Sequence, residues 1–185
     1  MFVQSITRVV ALALCLAGVF AISDSAQARN VNDKASRNNG ASFFGNQRTS
    51  RNINHARDYS NQMYQYSRSV PTVSPQVMKS ESQMLGQNIV YAQKQLAAVQ
   101  EEVKTVPANA ESAKLISQHL AKAAELHKEL DMECCKATVD GKVCAKCCSD
   151  IVKELDKAAA EQNALTRQMD HEAGNKDKDH LIDRK

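Results

Sequence analysis

The chain contains no tryptophan, aromatic residues make up 4% of its 185 positions, and the last phenylalanine is Phe44. Its 43% hydrophobic content comes mainly from Ala, Val and Leu. A core built from these residues is thin, which suits packed amphipathic helices better than a wide globular core around an enclosed pocket. Catalytic signatures are missing as well. There is no phosphate-binding glycine loop, no G-x-S-x-G and no H-E-x-x-H. The acidic residues are spread over what read as solvent faces of helices, so a non-enzymatic protein is expected. After residue 22 no apolar run is long enough to cross a membrane.

One apolar run does exist. Val9 to Ile22 follows a short segment carrying Arg8 and precedes Ser23-Asp24-Ser25 and Ala26-Gln27-Ala28. Fourteen residues are too few for a span, and Ala-x-Ala is a cleavage pattern, so residues 1–28 read as a secretory signal peptide. The expected location is secreted or periplasmic, with no membrane span once the signal is removed. Cys15 lies inside the run, behind bulky Leu14, and does not read as a lipidation site.

Residues 29–73 are rich in Asn, Ser, Gln and Arg, with seven basic side chains (Arg29, Lys34, Arg37, Arg48, Arg51, Arg57, Arg68) against Asp33 and Asp58. Few apolar residues are available to offset the entropy of ordering such a segment, so a disordered basic arm is expected. Ile53, Ala56, Tyr59, Met63 and Tyr66 nevertheless share one face at helical spacing, enough for a short amphipathic helix. Basic residues interleaved with Phe43, Phe44, Tyr59, Tyr64 and Tyr66 could contact an anionic polymer; nucleic acid is not expected as the partner of an exported chain.

Order is expected from Ser74-Pro75, an N-cap and first-turn pair. Met78, Leu85, Ile89, Ala92, Leu96, Val99 and Val103 then follow a narrow seam, and Thr105-Val106-Pro107 ends it. In this reading Gly86 is a tolerable cost of about 1 kcal/mol in a long helix. A second helix, capped by Asn109, carries Ile116, Leu120, Ala123, His127 or Leu126, Leu130 and Cys134. A third, starting between Val143 and Asp150, carries Ile151, Leu155, Ala158/Ala159, Gln162, Leu165 and Met169 and stops at Gly174. The remaining residues, 175–185, read as a charged, frayed tail. The fold class expected is all-α: a three-helix antiparallel bundle over residues 74–174, or a coiled-coil hairpin whose first helix pairs with another chain. Self-association or a protein partner would then use the narrow seams.

Five of the six cysteines fall within residues 133–148 as CC-x8-C-x2-CC: Cys134, Cys135, Cys144, Cys147 and Cys148. Asp140-Gly141 between β-branched neighbours favours a tight reversal that turns Cys135 toward Cys144. Three chemistries compete for this tip. Disulfides suit an exported chain, for instance Cys135–Cys144 with Cys134–Cys148, with one thiol left over and the connectivity open. This reading needs no cofactor and makes the protein a structural or interaction component of the envelope or extracellular space. Alternatively, four or five thiolates could bind or store copper or zinc. His127 is about 10 Å up the helix, outside that shell, and would join a second, weaker site with His119 or simply mark a helix boundary. Thiol-redox work by Cys144-Ala145-Lys146-Cys147 is the third reading, but no strands are expected to build its usual context.

Overall fold

Steps of alternately four and three residues keep one face of an α-helix turned toward its neighbours. That pattern runs through every helix of the computed structural model, which describes the backbone of residues 34–182 and the side chains of residues 43–171. The helices are α1 (Lys34–Ser69), α2 (Pro75–Val103), α3 (Pro107–Cys134) and α4 (Gly141–Ile182). Each packs on two neighbours in a closed ring, α1 on α2, α2 on α3, α3 on α4 and α4 back on α1, and among the described residues no close backbone approach joins the diagonal pairs. Short connections force sequential helices to run antiparallel, which gives an up-down-up-down four-helix bundle. The α1–α2 and α3–α4 connections consequently share one end, called the tip below.

The seams of α2, α3 and α4 match the expected ones closely. Met78, Leu85, Ile89, Ala92, Leu96, Val99 and Val103 are buried on α2; Ile116, Leu120, Ala123, Leu130 and Cys134 on α3; Ile151, Leu155, Ala158, Gln162 and Leu165 on α4. Each fully buried Leu or Ile contributes roughly 1.5–3 kcal/mol relative to exposure. Ser82 continues the α2 seam and is wholly buried. Pro75 opens α2 with Ser74 as its N-cap, as expected, though the Ser74 hydroxyl makes no capping bond.

Four expectations are corrected. First, residues 34–69 form α1, not a disordered arm, so the bundle has four helices and not three. Its seam is Asn46, Thr49, Ile53, Ala56, Ser60, Met63 and Ser67, all buried. Four of these seven are polar, and they stay inside because their groups are paired. Thr49 Oγ1 donates to the Gly45 carbonyl at 2.9 Å, Ser60 Oγ to the Cys148 carbonyl at 3.0 Å, and Ser67 Oγ faces Met78 Sδ at 3.8 Å. Second, α3 is capped by Val106 with Pro107 in its first turn; Asn109, expected as the cap, is buried inside the helix. Third, α4 does not stop at Gly174 but continues to Ile182, through the segment expected to fray. One interior glycine costs only about 1 kcal/mol, too little to end a helix this long. Fourth, Asp140-Gly141 is a helix start rather than a β-reversal. Asp140 Oδ1 accepts the amides of Lys142 at 2.8 Å and Val143 at 3.3 Å, an N-cap arrangement.

The segment 1–28 expected to be a signal peptide, Cys15 within it and residues 29–33 of the expected arm lie outside the described residues. No helix among the described residues is long and apolar enough to cross a membrane.

Candidate functional site: thiols at the α3–α4 junction

The loop that joins α3 to α4 is held by a carboxylate buried beneath it. Glu133, 5% exposed, receives the Asp140 amide on Oε1 at 3.0 Å, and Lys136 Nζ closes on Oε2. The bond from Lys136 and that from the Asp140 amide hold the Glu133 carboxyl below its ordinary range. Asp140 then caps α4, whose first residue is Gly141. A Cβ at Gly141 would lie 2.9 Å from both the Ser67 carbonyl oxygen and Val73 Cγ2, so the start of α4 sits against the end of α1 at a distance only glycine permits.

This local order sets the sulfurs. Cys134 is the last seam residue of α3, and Cys144 and Cys148, four apart, are the first two of α4. Cys134, Cys144 and Cys148 are at most 2% exposed, and Cys147 beside them is 8% exposed. Cys135, at the C-cap of α3, points to solvent. All five are free thiols. Cys134 and Cys144 are near enough to perturb one another: the neighbouring thiol and burial raise the pKa of Cys134, and Cys134 in turn lowers that of Cys144. Burial pushes Cys148 up to about 12 and raises Cys147 as well.

The structure brings Cys134, not Cys135, to Cys144. No group of three or more His, Cys, Asp or Glu side chains among the described residues is arranged to hold a metal ion. The two histidines singled out from sequence occupy different interfaces. His119 Nδ1 meets Glu154 Oε2 of α4 at 2.8 Å. His127 Nε2 donates to the Ser82 carbonyl of α2 at 2.8 Å, while Ser82 Oγ donates to Asp131 Oδ1 at 3.1 Å. Ser, His and Asp thus share a network, but the Asp serves the Ser and not the imidazole, and Ser82 is fully buried, so it is a structural link rather than a catalytic triad. Gly86 has its explanation here. A Cβ at this position would stand 2.5 Å from His127 Cε1, so the glycine makes room for the ring between α2 and α3.

Sequence reasoning missed Ser60, whose bond ties α1 to the Cys148 carbonyl, and Glu133 as the anchor of the loop. A buried acid at the end of a helix leaves no periodic signal; for Ser60 the signal was its place in the four-three spacing of α1.

Fold and site together define a four-helix up-down-up-down bundle with a thiol-lined tip. No family model matches the chain, and no curated protein or solved structure shows significant similarity to it.

Proposed function

We propose that the protein is an exported, non-enzymatic scaffold or interaction protein whose bundle is locked at the tip by a disulfide between Cys134 and Cys144. The observation that carries this reading is that Cys134, the last seam residue of α3, and Cys144, the first buried residue of α4, enter the same buried core on either side of one short loop. A signal-type N-terminus ahead of them adds the oxidising compartment in which such pairs are closed. In the closing reaction, which precedes the final packing of the tip, one of the two thiolates attacks a disulfide donor and the other then attacks the protein sulfur of the resulting mixed disulfide. The donor leaves as two thiols, having taken up two electrons and two protons. The bond would staple α3 to α4 across the loop that Glu133 holds. Burial of Cys144 from solvent argues against repeated exchange with large substrates, hence against an oxidoreductase.

The copper or zinc reading draws on the crowding of Cys134, Cys144 and Cys148 into one end of the core. The same experiment separates the two. Protein purified without reductant is weighed intact before and after reduction, then digested and mapped under alkylation. A mass gain of about two hydrogens on reduction, with a linked Cys134–Cys144 peptide, supports the lock. Fully titratable thiols accompanied by stoichiometric copper or zinc in native spectra would overturn it.

A further inference from the structure

On the α1–α4 side of the tip lies a groove of about 1110 Å³, between the last turns of α1 and the first turns of α4. It follows α4 from Gly141 to Lys153, which at 1.5 Å per residue is about 18 Å. Its floor is apolar: Val73, Val139 and Ala145 line it and are at most 8% exposed. Its rim is cationic, and the cations are not all used. Asp150 is held by Lys153 at 2.7 Å and Asp140 is occupied with the amides of α4. Lys142 and Lys146, one helical turn apart on one wall, meet no carboxylate among the described residues. On the other wall the Arg68 guanidinium meets no carboxylate either. It is steadied by the Tyr64 hydroxyl at 2.6 Å and lies over the Tyr64 ring, 5.4 Å from its centre.

We infer that this groove is a docking site for an acidic peptide segment of a partner protein, one that alternates Asp or Glu with apolar side chains. About five or six extended residues cover 18 Å. In such a strand the acidic residues reach Lys142, Lys146 and Arg68 while the alternate apolar residues sit on Val73, Val139 and Ala145. The two carboxylates within the groove decide between a peptide and a uniform polyanion. Asp140 and Asp150 would repel a chain bearing a charge at every unit, whereas a peptide presents them with amide donors and with gaps between its acids. The inference is independent of the redox state of Cys134 and Cys144.

The test uses the purified full-length chain, isotope-labelled, and the synthetic heptapeptide acetyl-Glu-Leu-Glu-Val-Asp-Leu-Glu-amide, with the Lys-for-acid version as control. The expected result is saturable binding of the acidic peptide alone, with amide shifts concentrated at Ser67, Thr72, Gly141, Lys146 and Ser149. Lys142→Glu/Lys146→Glu should weaken it about tenfold or more through lost charge-assisted contacts. Both side chains are exposed, and acids in the first turns of α4 favour its dipole, so the variant keeps its fold; circular dichroism verifies that. Absence of saturation up to about 1 mM peptide, shifts centred elsewhere, or full affinity in the charge-reversed variant would each overturn the assignment. So would tighter binding of heparin than of the peptide in the same groove, which would make it a polyanion site.

Discussion

At the tip the bundle core is rich in sulfur, with Cys134, Cys144, Cys148, Met63 and Met78 buried in the same core as Leu130 and Ile151. At the opposite end it is closed by amides and hydroxyls. Gln162 Nε2 donates to Asn46 Oδ1, Asn46 Nδ2 donates to Thr166 Oγ1 at 2.8 Å, and Thr166 Oγ1 donates to the Gln162 carbonyl at 2.9 Å. Both ends lie on the same four-three seams, yet different physics governs them. Thiols and thioethers pack as small, soft apolar groups whose partners are interchangeable. Amides are directional, and each one buried needs its partner. Gln162 is 1% exposed and its Oε1 finds no hydrogen-bond partner among the described residues, so the polar end retains an unmet demand that the sulfur end does not have. The polar end is the costlier of the two and the more selective: Asn46 and Gln162 pair in one register of α1 against α4, and a slipped helix would strand them.

The comparison can be broken most strongly by oxidation. If Cys134 and Cys144 join, the closed loop is short, and the oxidised chain should exceed the reduced one in unfolding free energy by about 2–3 kcal/mol. Urea titrations with and without reductant measure the difference, which should vanish in Cys134→Ser. Equal midpoints for oxidised and reduced wild type would remove the lock. Single truncations at the two ends come next. Asn46→Ala removes the side-chain acceptor of the Gln162 amide, leaving it only the residue-46 carbonyl at 3.5 Å, together with the donor to Thr166 Oγ1, and should cost about 1–3 kcal/mol. Cys148→Ala removes only a buried sulfur and should cost about 1 kcal/mol. Replacing both partners, Asn46→Leu with Gln162→Leu, should recover most of the first loss, because no polar group then remains unpaired. A double variant as unstable as Asn46→Ala would show that shape, not polarity, limits that end.

The smallest effect is set by pH. Glu133 holds the tip loop as a carboxylate with a pKa below the ordinary 4.5, so its contribution is complete above that value and is lost as the pH falls through the folded pKa. The protection factor of the Asp140 amide should therefore fall on acidification while the Asn46–Gln162–Thr166 end keeps its protection. A uniform fall in protection at both ends would show that Glu133 does not act locally.

Much of this contrast was readable in the sequence, but unevenly. The seams of α2, α3 and α4 are apolar at nearly every step, and counting by fours and threes finds them. In α1 the same count meets Asn46, Thr49, Ser60 and Ser67, so the apolar residues left over, Ile53, Ala56 and Met63, announce only a short stretch of helix. Those polar residues become core residues through partners on other helices, and a single sequence does not reveal such partners. The same reason hides the thiol pairing. Whether Cys134 or Cys135 faces Cys144 depends on how the loop sets α4 against α3, and that is fixed by Glu133 and by Asp140 acting as a cap. Asp-Gly between β-branched residues supports a β-turn and a helix start equally well; the amides of Lys142 and Val143 decide it.

The closing of the ring between α1 and α4 bears on how the chain reaches this state. Ser60 and Cys148 are 88 residues apart, Asn46 and Gln162 116, and Asn46 and Thr166 120, whereas the α1–α2 and α3–α4 hairpins are joined by short loops. Loop-closure entropy favours those hairpins early and leaves the α1–α4 seam to form late, when its ends must be brought together across the greatest chain length. That seam is also the one built most from polar side chains. The final step of assembly is thus rewarded by a few directional bonds more than by burial, and α1 is the helix expected to sample detachment most often from an otherwise finished molecule.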